Sequence, residues 1–103
     1  MATVDQQHVE KSAGQPARLA RLPRIRVAQI VMDYLAHGWS PDEMCRHYPH
    51  LTPAETHAAM VYYYDHQAEI DAEIQAELSE ERAARASAEP TPFELKLKAK
   101  GIL

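Results

Sequence analysis

The sequence predicts a mainly α fold: a tri-helical, helix–turn–helix-like core with a long third helix, a short N-terminal strand and an extended C-terminal tail. Three observations lead there. Apolar residues recur at helical spacing from Val27 onward. Two helix-start signals, Ser40-Pro41-Asp42-Glu43 and Thr52-Pro53-Ala54-Glu55, begin twelve residues apart. No Gly or Pro interrupts the stretch from Ala54 to Glu89.

Residues 1–22 show no period, and Gly14 and Pro16 break any helix there, so the segment reads as a mobile arm with room for a short strand. Arg24-Ile25-Arg26-Val27 alternates polar and apolar residues, which suits a short half-buried strand or the lead-in to the next helix. Val27, Ile30, Val31, Tyr34 and Leu35 then line one helical face, and Gly38 stops that helix. The second helix opens at Ser40-Pro41 and ends at Tyr48-Pro49, with Met44, Cys45 and Tyr48 turned inward.

The third helix opens at Thr52-Pro53 and has room for about 30 residues, or some 45 Å at 1.5 Å each. Its first half carries Ala58, Ala59, Val61 and Tyr62. In its second half Asp65, Glu69, Glu73, Glu77 and Glu81 recur every fourth residue. Like charges at that spacing weaken a helix. Ile70, Ile74 and Leu78 form a narrow apolar ridge beside the acids, which alone is too little to stabilise a helix and calls for a partner. Ala83 to Pro92 reads as a linker. Phe93-Glu94-Leu95-Lys96-Leu97-Lys98 alternates apolar and charged residues, as an edge strand does, although a short helix fits by length.

These readings divide the chain into a basic flexible arm (1–23), a helix–turn–helix-like core (24–66), an acidic helical extension (67–89) and a basic tail (90–103). Charge follows the same division. The net charge of the 103 residues is −4, yet residues 1–27 carry +3, 28–64 carry −3, 65–89 carry −6 and 90–103 carry +2. Blocked charge marks interaction segments. One cysteine excludes an internal disulfide framework, and three glycines are few for a nucleotide-binding loop. No apolar run approaches the roughly 20 residues of a membrane helix, and Met1 to Lys11 is too polar for a signal sequence. The expectation is a cytoplasmic protein without a membrane partner.

Residues Arg24 to about Glu73 resemble a small prokaryotic helix–turn–helix-like family, domain of unknown function 433. The likeness rests on Arg24-Ile25-Arg26-Val27, Gly38, Ser40, Asp42-Glu43-Met44, Tyr48-Pro49-His50-Leu51-Thr52, Ala58-Ala59 and Tyr62-Tyr63. Leu22-Pro23-Arg24 stands where the family has a Gly-Thr-Arg turn. The resemblance implies an antitoxin that neutralises a PIN-like ribonuclease toxin and represses its own operon. The alternative is a DNA-binding regulator or homo-oligomeric scaffold with no toxin.

For toxin contact the candidates are the ridge and tail: Ile70, Ile74, Leu78, Arg82, Arg85, Phe93, Leu95, Lys96, Leu97 and Lys98, with Ile102 and Leu103 at the end of the tail. Basic side chains there suit a nuclease site built from carboxylates. For DNA, the start of the third helix offers no Arg or Lys, so the candidates are the arm residues Arg18, Arg21, Arg24 and Arg26. A homodimer or higher oligomer is expected to pair such arginines with the acidic helix of a second copy. Cys45, His47, His50 and His57 do not converge at zinc-ligand spacing. No nucleophile, base and orienting group recur at a recognisable spacing. Neither a metal, a cofactor nor an enzymatic activity is expected.

Overall fold

A computed structural model describes residues 8–85 and 89–103; residues 1–7 of the expected arm and 86–88 of the expected linker lie outside the described residues. Its elements are β1 (Val9–Glu10), β2 (Arg18–Leu19), α1 (Val27–His37), α2 (Pro41–His47), α3 (Pro53–Asp65), α4 (Gln67–Ala84) and α5 (Pro92–Ala99).

Helix α1 buries Val27, Ile30, Val31 and Leu35 of the face that the spacing predicts, with Ala28 beside them, while Tyr34 is only partly buried. Gly38 ends it at φ 71°, and its N–H donates to the Tyr34 carbonyl at 2.9 Å. That left-handed conformation costs a residue with a Cβ free energy that glycine avoids. The chain then turns over Trp39, whose ring lies 4.3 Å from His37 and 3.7 Å from His47.

Reciprocal caps open the next two helices. The Glu43 N–H donates to Ser40 Oγ at 3.2 Å and the Ser40 N–H to Glu43 Oε1 at 3.0 Å. Thr52 and Glu55 repeat the exchange at 3.2 and 3.0 Å. Each cap satisfies backbone donors that the first helical turn leaves open. Helices α1, α2 and α3 pack around Met44, Leu51, Ala59, Met60 and the inner face of α1.

Three expectations are corrected. First, residues 8–23 are no free arm. β1 and β2 pair antiparallel, Val9 opposite Leu19 and Glu10 opposite Arg18. Ala17 and Leu19 are fully buried in the core. The alternating Arg24–Val27 contributes only a bridge from Arg26 to Arg18 before α1 begins.

Second, the long third helix is two helices. The break falls at His66 (φ −132°, ψ 42°), whose N–H still donates to Tyr62 and Tyr63. A straight continuation would carry Ile70, Ile74 and Leu78 past the core into water. The bend lays them against α1, where Ile70 and Ile74 are fully buried and Leu78 nearly so. Burying three such side chains is worth roughly 1.5–3 kcal/mol each, more than a net backbone hydrogen bond of about 1 kcal/mol. Across the bend the Tyr62 hydroxyl donates to Glu69 at 3.0 Å and the Tyr63 hydroxyl to Asp71 at 2.9 Å.

Third, the tail is neither an extended segment nor an edge strand. It forms α5, with Leu97 and Ile102 buried against the rest of the core.

Candidate functional site

The C-terminal helix is positioned by one carboxylate. Thr91-Pro92-Phe93-Glu94 is a third capping box: the Glu94 N–H donates to Thr91 Oγ1 at 3.1 Å and the Thr91 N–H to Glu94 Oε1 at 2.8 Å. Two arginines of the preceding segment close on the same group. Arg82 Nη2 donates to Glu94 Oε2 at 2.8 Å and Arg85 Nη2 to Glu94 Oε1 at 3.0 Å. The Glu94 side chain is only 2% exposed. The Thr91 amide first, then Arg85 and Arg82, hold its carboxyl down at about 2 against the opposing effect of burial. Lys96 Nζ donates to the Ala36 carbonyl at 2.7 Å, joining α5 to the end of α1, and the Gln75 amide donates to the Ile102 carbonyl.

Held this way, α5 divides its side chains. Leu97 faces the core, while Leu95 and Leu103 stand 55% and 41% exposed. Those two leucines, with Arg82, Pro90, Glu94 and Lys98, line a groove of about 420 Å³. Its lining is net cationic because the Glu94 charge is already matched by two arginines. Leucines beside basic side chains suit an acidic, partly apolar protein surface.

Of the residues expected to meet a toxin, Arg82, Leu95 and Lys98 therefore share one open groove. Ile70, Ile74, Leu78 and Leu97 are buried within the chain's own core, so the expectation of an unpartnered ridge is corrected. Phe93 is half-buried against that core, Arg85 is turned onto Glu94, and Lys96 is held by Ala36. Leu103, also expected in the tail, joins that lining, and Pro90 is the lining residue that the expectation missed. The signal for the groove was the unread Thr91-Pro92-Phe93-Glu94 start, which fixes the face that Leu95 and Lys98 share.

The arm arginines do not gather on one open surface. Arg21 Nε and Nη2 hold Glu55 at 2.9 and 2.7 Å, and Nη2 also reaches the His50 carbonyl at 2.7 Å. That guanidinium, with the Thr52 cap, holds the Glu55 carboxyl down at about 2 although its side chain is 3% exposed. Arg26 spans Glu73 and Glu77 of α4, each at 2.5 Å. Arg18 donates to the Pro16 carbonyl at 3.4 Å, and Arg24 has no ionic or hydrogen-bond partner among the described residues. The acidic helix thus takes up Arg26 within one chain.

Residues 21–63 match the model of the family described as Protein of unknown function (DUF433). The matched DUF433 segment begins at Arg21 and ends at Tyr63, spanning α1, α2 and most of α3. It includes both halves of the Arg21–Glu55 pair. Helices α4 and α5 and the groove lie beyond it. No curated protein and no solved structure matches the chain. Among the described residues no group of three or more His, Cys, Asp or Glu could hold a metal ion, and no helix is long and apolar enough to cross a membrane.

Proposed function

We propose that this chain is an antitoxin-type binding protein that neutralises a PIN-like ribonuclease, and that the groove along α5 is its contact surface. One observation carries the reading: exposed Leu95 and Leu103 line one groove with Arg82 and Lys98, beside a helix, α5, that is capped and anchored at three points. A nuclease whose active site is ringed by carboxylates presents the complementary charge. Pre-ordering of α5 in the free chain lowers the entropy lost on binding. Repression of an operon belongs to the same reading and falls to Arg18 and Arg24, the arm arginines that no carboxylate holds among the described residues.

Co-expression with the product of the adjacent reading frame tests it. The full chain relieves growth arrest and co-purifies with that product, whereas Leu95→Asp with Lys98→Glu loses both while keeping its helix content. An adjacent product that is harmless alone, or undiminished relief by the double variant, refutes the proposal. The first of these results favours the regulator or scaffold without a toxin.

A further inference from the structure

A second concavity lies among residues 25–51. It is formed where α1 meets the turn between α2 and α3, and is lined by Ile25, Gln29, Ile30, Asp33, Tyr48 and Leu51. Its volume is about 200 Å³, below the roughly 300–1,000 Å³ of small-molecule clefts. That is space for one side chain. Ile25, Ile30 and Leu51 supply apolar wall, and Asp33, Gln29 and Tyr48 supply the polar part. The Tyr48 phenol is pushed above its ordinary value by burial and then by the Asp33 carboxylate beside it. None of the ion pairs among the described residues includes Asp33.

A carboxylate beside an apolar wall fits a side chain with an aliphatic stem and a cationic head. Arginine fits best, because its planar fork matches a carboxylate with two parallel hydrogen bonds. The chain carries such a residue next to one of the lining positions. Arg24 immediately precedes Ile25, is exposed, and has no ionic or hydrogen-bond partner among the described residues. The other charged arginines near it, Arg21 and Arg26, are already held by Glu55, Glu73 and Glu77. A cation without an ionic partner one residue from the lining, and a carboxylate without one inside it, give two copies related by a two-fold axis complementary charges to exchange.

We propose that a second copy of this chain covers the pocket, with Arg24 of each copy entering the other's pocket and pairing with Asp33. Neither site is complete without the partner's Arg24. The pairing shares no residue with the α5 groove, so it does not depend on toxin contact there; it does take Arg24 away from DNA, which leaves Arg18 for that contact.

Sedimentation equilibrium on the purified chain alone tests this across rising concentration. The wild type self-associates to a dimer, less tightly as salt rises. Arg24→Glu and Asp33→Arg, which place like charges opposite each other, each raise the dimer Kd about tenfold or more. Combining them swaps the pair and restores association. The restored double variant also shows that neither substitution acts by unfolding the chain. A wild type that stays monomeric at its solubility limit, single variants that associate as the wild type does, or a double variant no tighter than the singles overturns the proposal.

Discussion

Arg26 Nη1 holds the Glu73 carboxylate at 2.5 Å, tying the residue before α1 to the middle of α4, 47 positions further along the chain. The same guanidinium holds Glu77 through Nη2. This settles a conflict within α4. Acids at every fourth position repel one another along the helix, and a cation between two of them offsets that repulsion. Arg26 is 25% exposed and Glu73 19%, so water screens the pair only in part. Partial burial and charge neutralisation together let the acidic helix lie on the core.

Removing that cation should loosen α4. Arg26→Ala is expected to cost about 1–3 kcal/mol, between the cost for an exposed pair and that for a fully buried one. Urea denaturation followed by circular dichroism measures it. In a Glu73→Gln, Glu77→Gln background the same substitution should cost distinctly less, because the like charges it separates are gone. Equal costs in the two backgrounds would mean that the arginine stabilises through its stem alone.

The aliphatic residues of the C-terminal half should divide into two behaviours. Ile74→Ala opens a cavity in the core and should cost about 2–5 kcal/mol. Leu95→Ala removes an exposed side chain and should change stability by less than about 0.5 kcal/mol. The proposed partner should read the opposite order: Leu95→Ala weakens the complex, whereas Ile74→Ala affects it only through the folded fraction. Denaturant midpoints and a pull-down with the adjacent gene product separate the two effects.

The parts of this fold that were readable in the sequence are those set within one turn of helix. Ser40-Pro41-Asp42-Glu43 and Thr52-Pro53-Ala54-Glu55 announce α2 and α3 because the cap, the proline and the returning glutamate are all local. Thr91-Pro92-Phe93-Glu94 is the same signal. It was masked by the alternation from Phe93 to Lys98, and eight residues are too few for a 3.6-residue period to outweigh a period of two. The bend at His66 left no trace, since Tyr63 and Ile70 lie seven residues apart and share a face whether or not the helix bends. Its cause is the tertiary burial of Ile70 and Ile74. The pairs Arg21–Glu55 and Arg26–Glu73 join positions 34 and 47 residues apart, so charge counting showed a basic arm where, among the described residues, folding leaves only Arg18 and Arg24 without a carboxylate. Two-residue strands are likewise too short for alternation to register.

The cap at Thr91 should control α5 without controlling the rest of the fold. Thr91→Ala leaves the Glu94 N–H without its acceptor and is expected to cost α5 about 1 kcal/mol. Hydrogen exchange should accelerate about fivefold at the Leu95 to Lys98 amides, with the α1 and α3 amides unchanged. If the α1 and α3 amides accelerate equally, α5 opens only with the whole molecule, and the tail is part of one cooperative unit.

Titration should destabilise the molecule from both ends of the pH scale, with signs fixed by four groups. Glu55 and Glu94 are held down at about 2 from an ordinary 4.5, Glu55 chiefly by Arg21 and Glu94 chiefly by the Thr91 amide. A lowered carboxyl binds fewer protons folded than unfolded. Its contribution is therefore full above pH 4.5 and declines as pH falls toward about 2. Tyr62 is pushed up to about 12, first by burial and then by Glu69, and Tyr63 is pushed up further by burial and Asp71. A raised phenol holds its proton in the fold, so this contribution is full below pH 10 and declines as pH rises through about 12. Stability from these groups should be flat between those limits. Urea midpoints across the range measure it, and Glu55→Gln and Tyr62→Phe should each flatten the limb to which the lost group belongs. If neither variant alters its limb, the pairs seen at Glu55 and Tyr62 contribute nothing to the pH dependence.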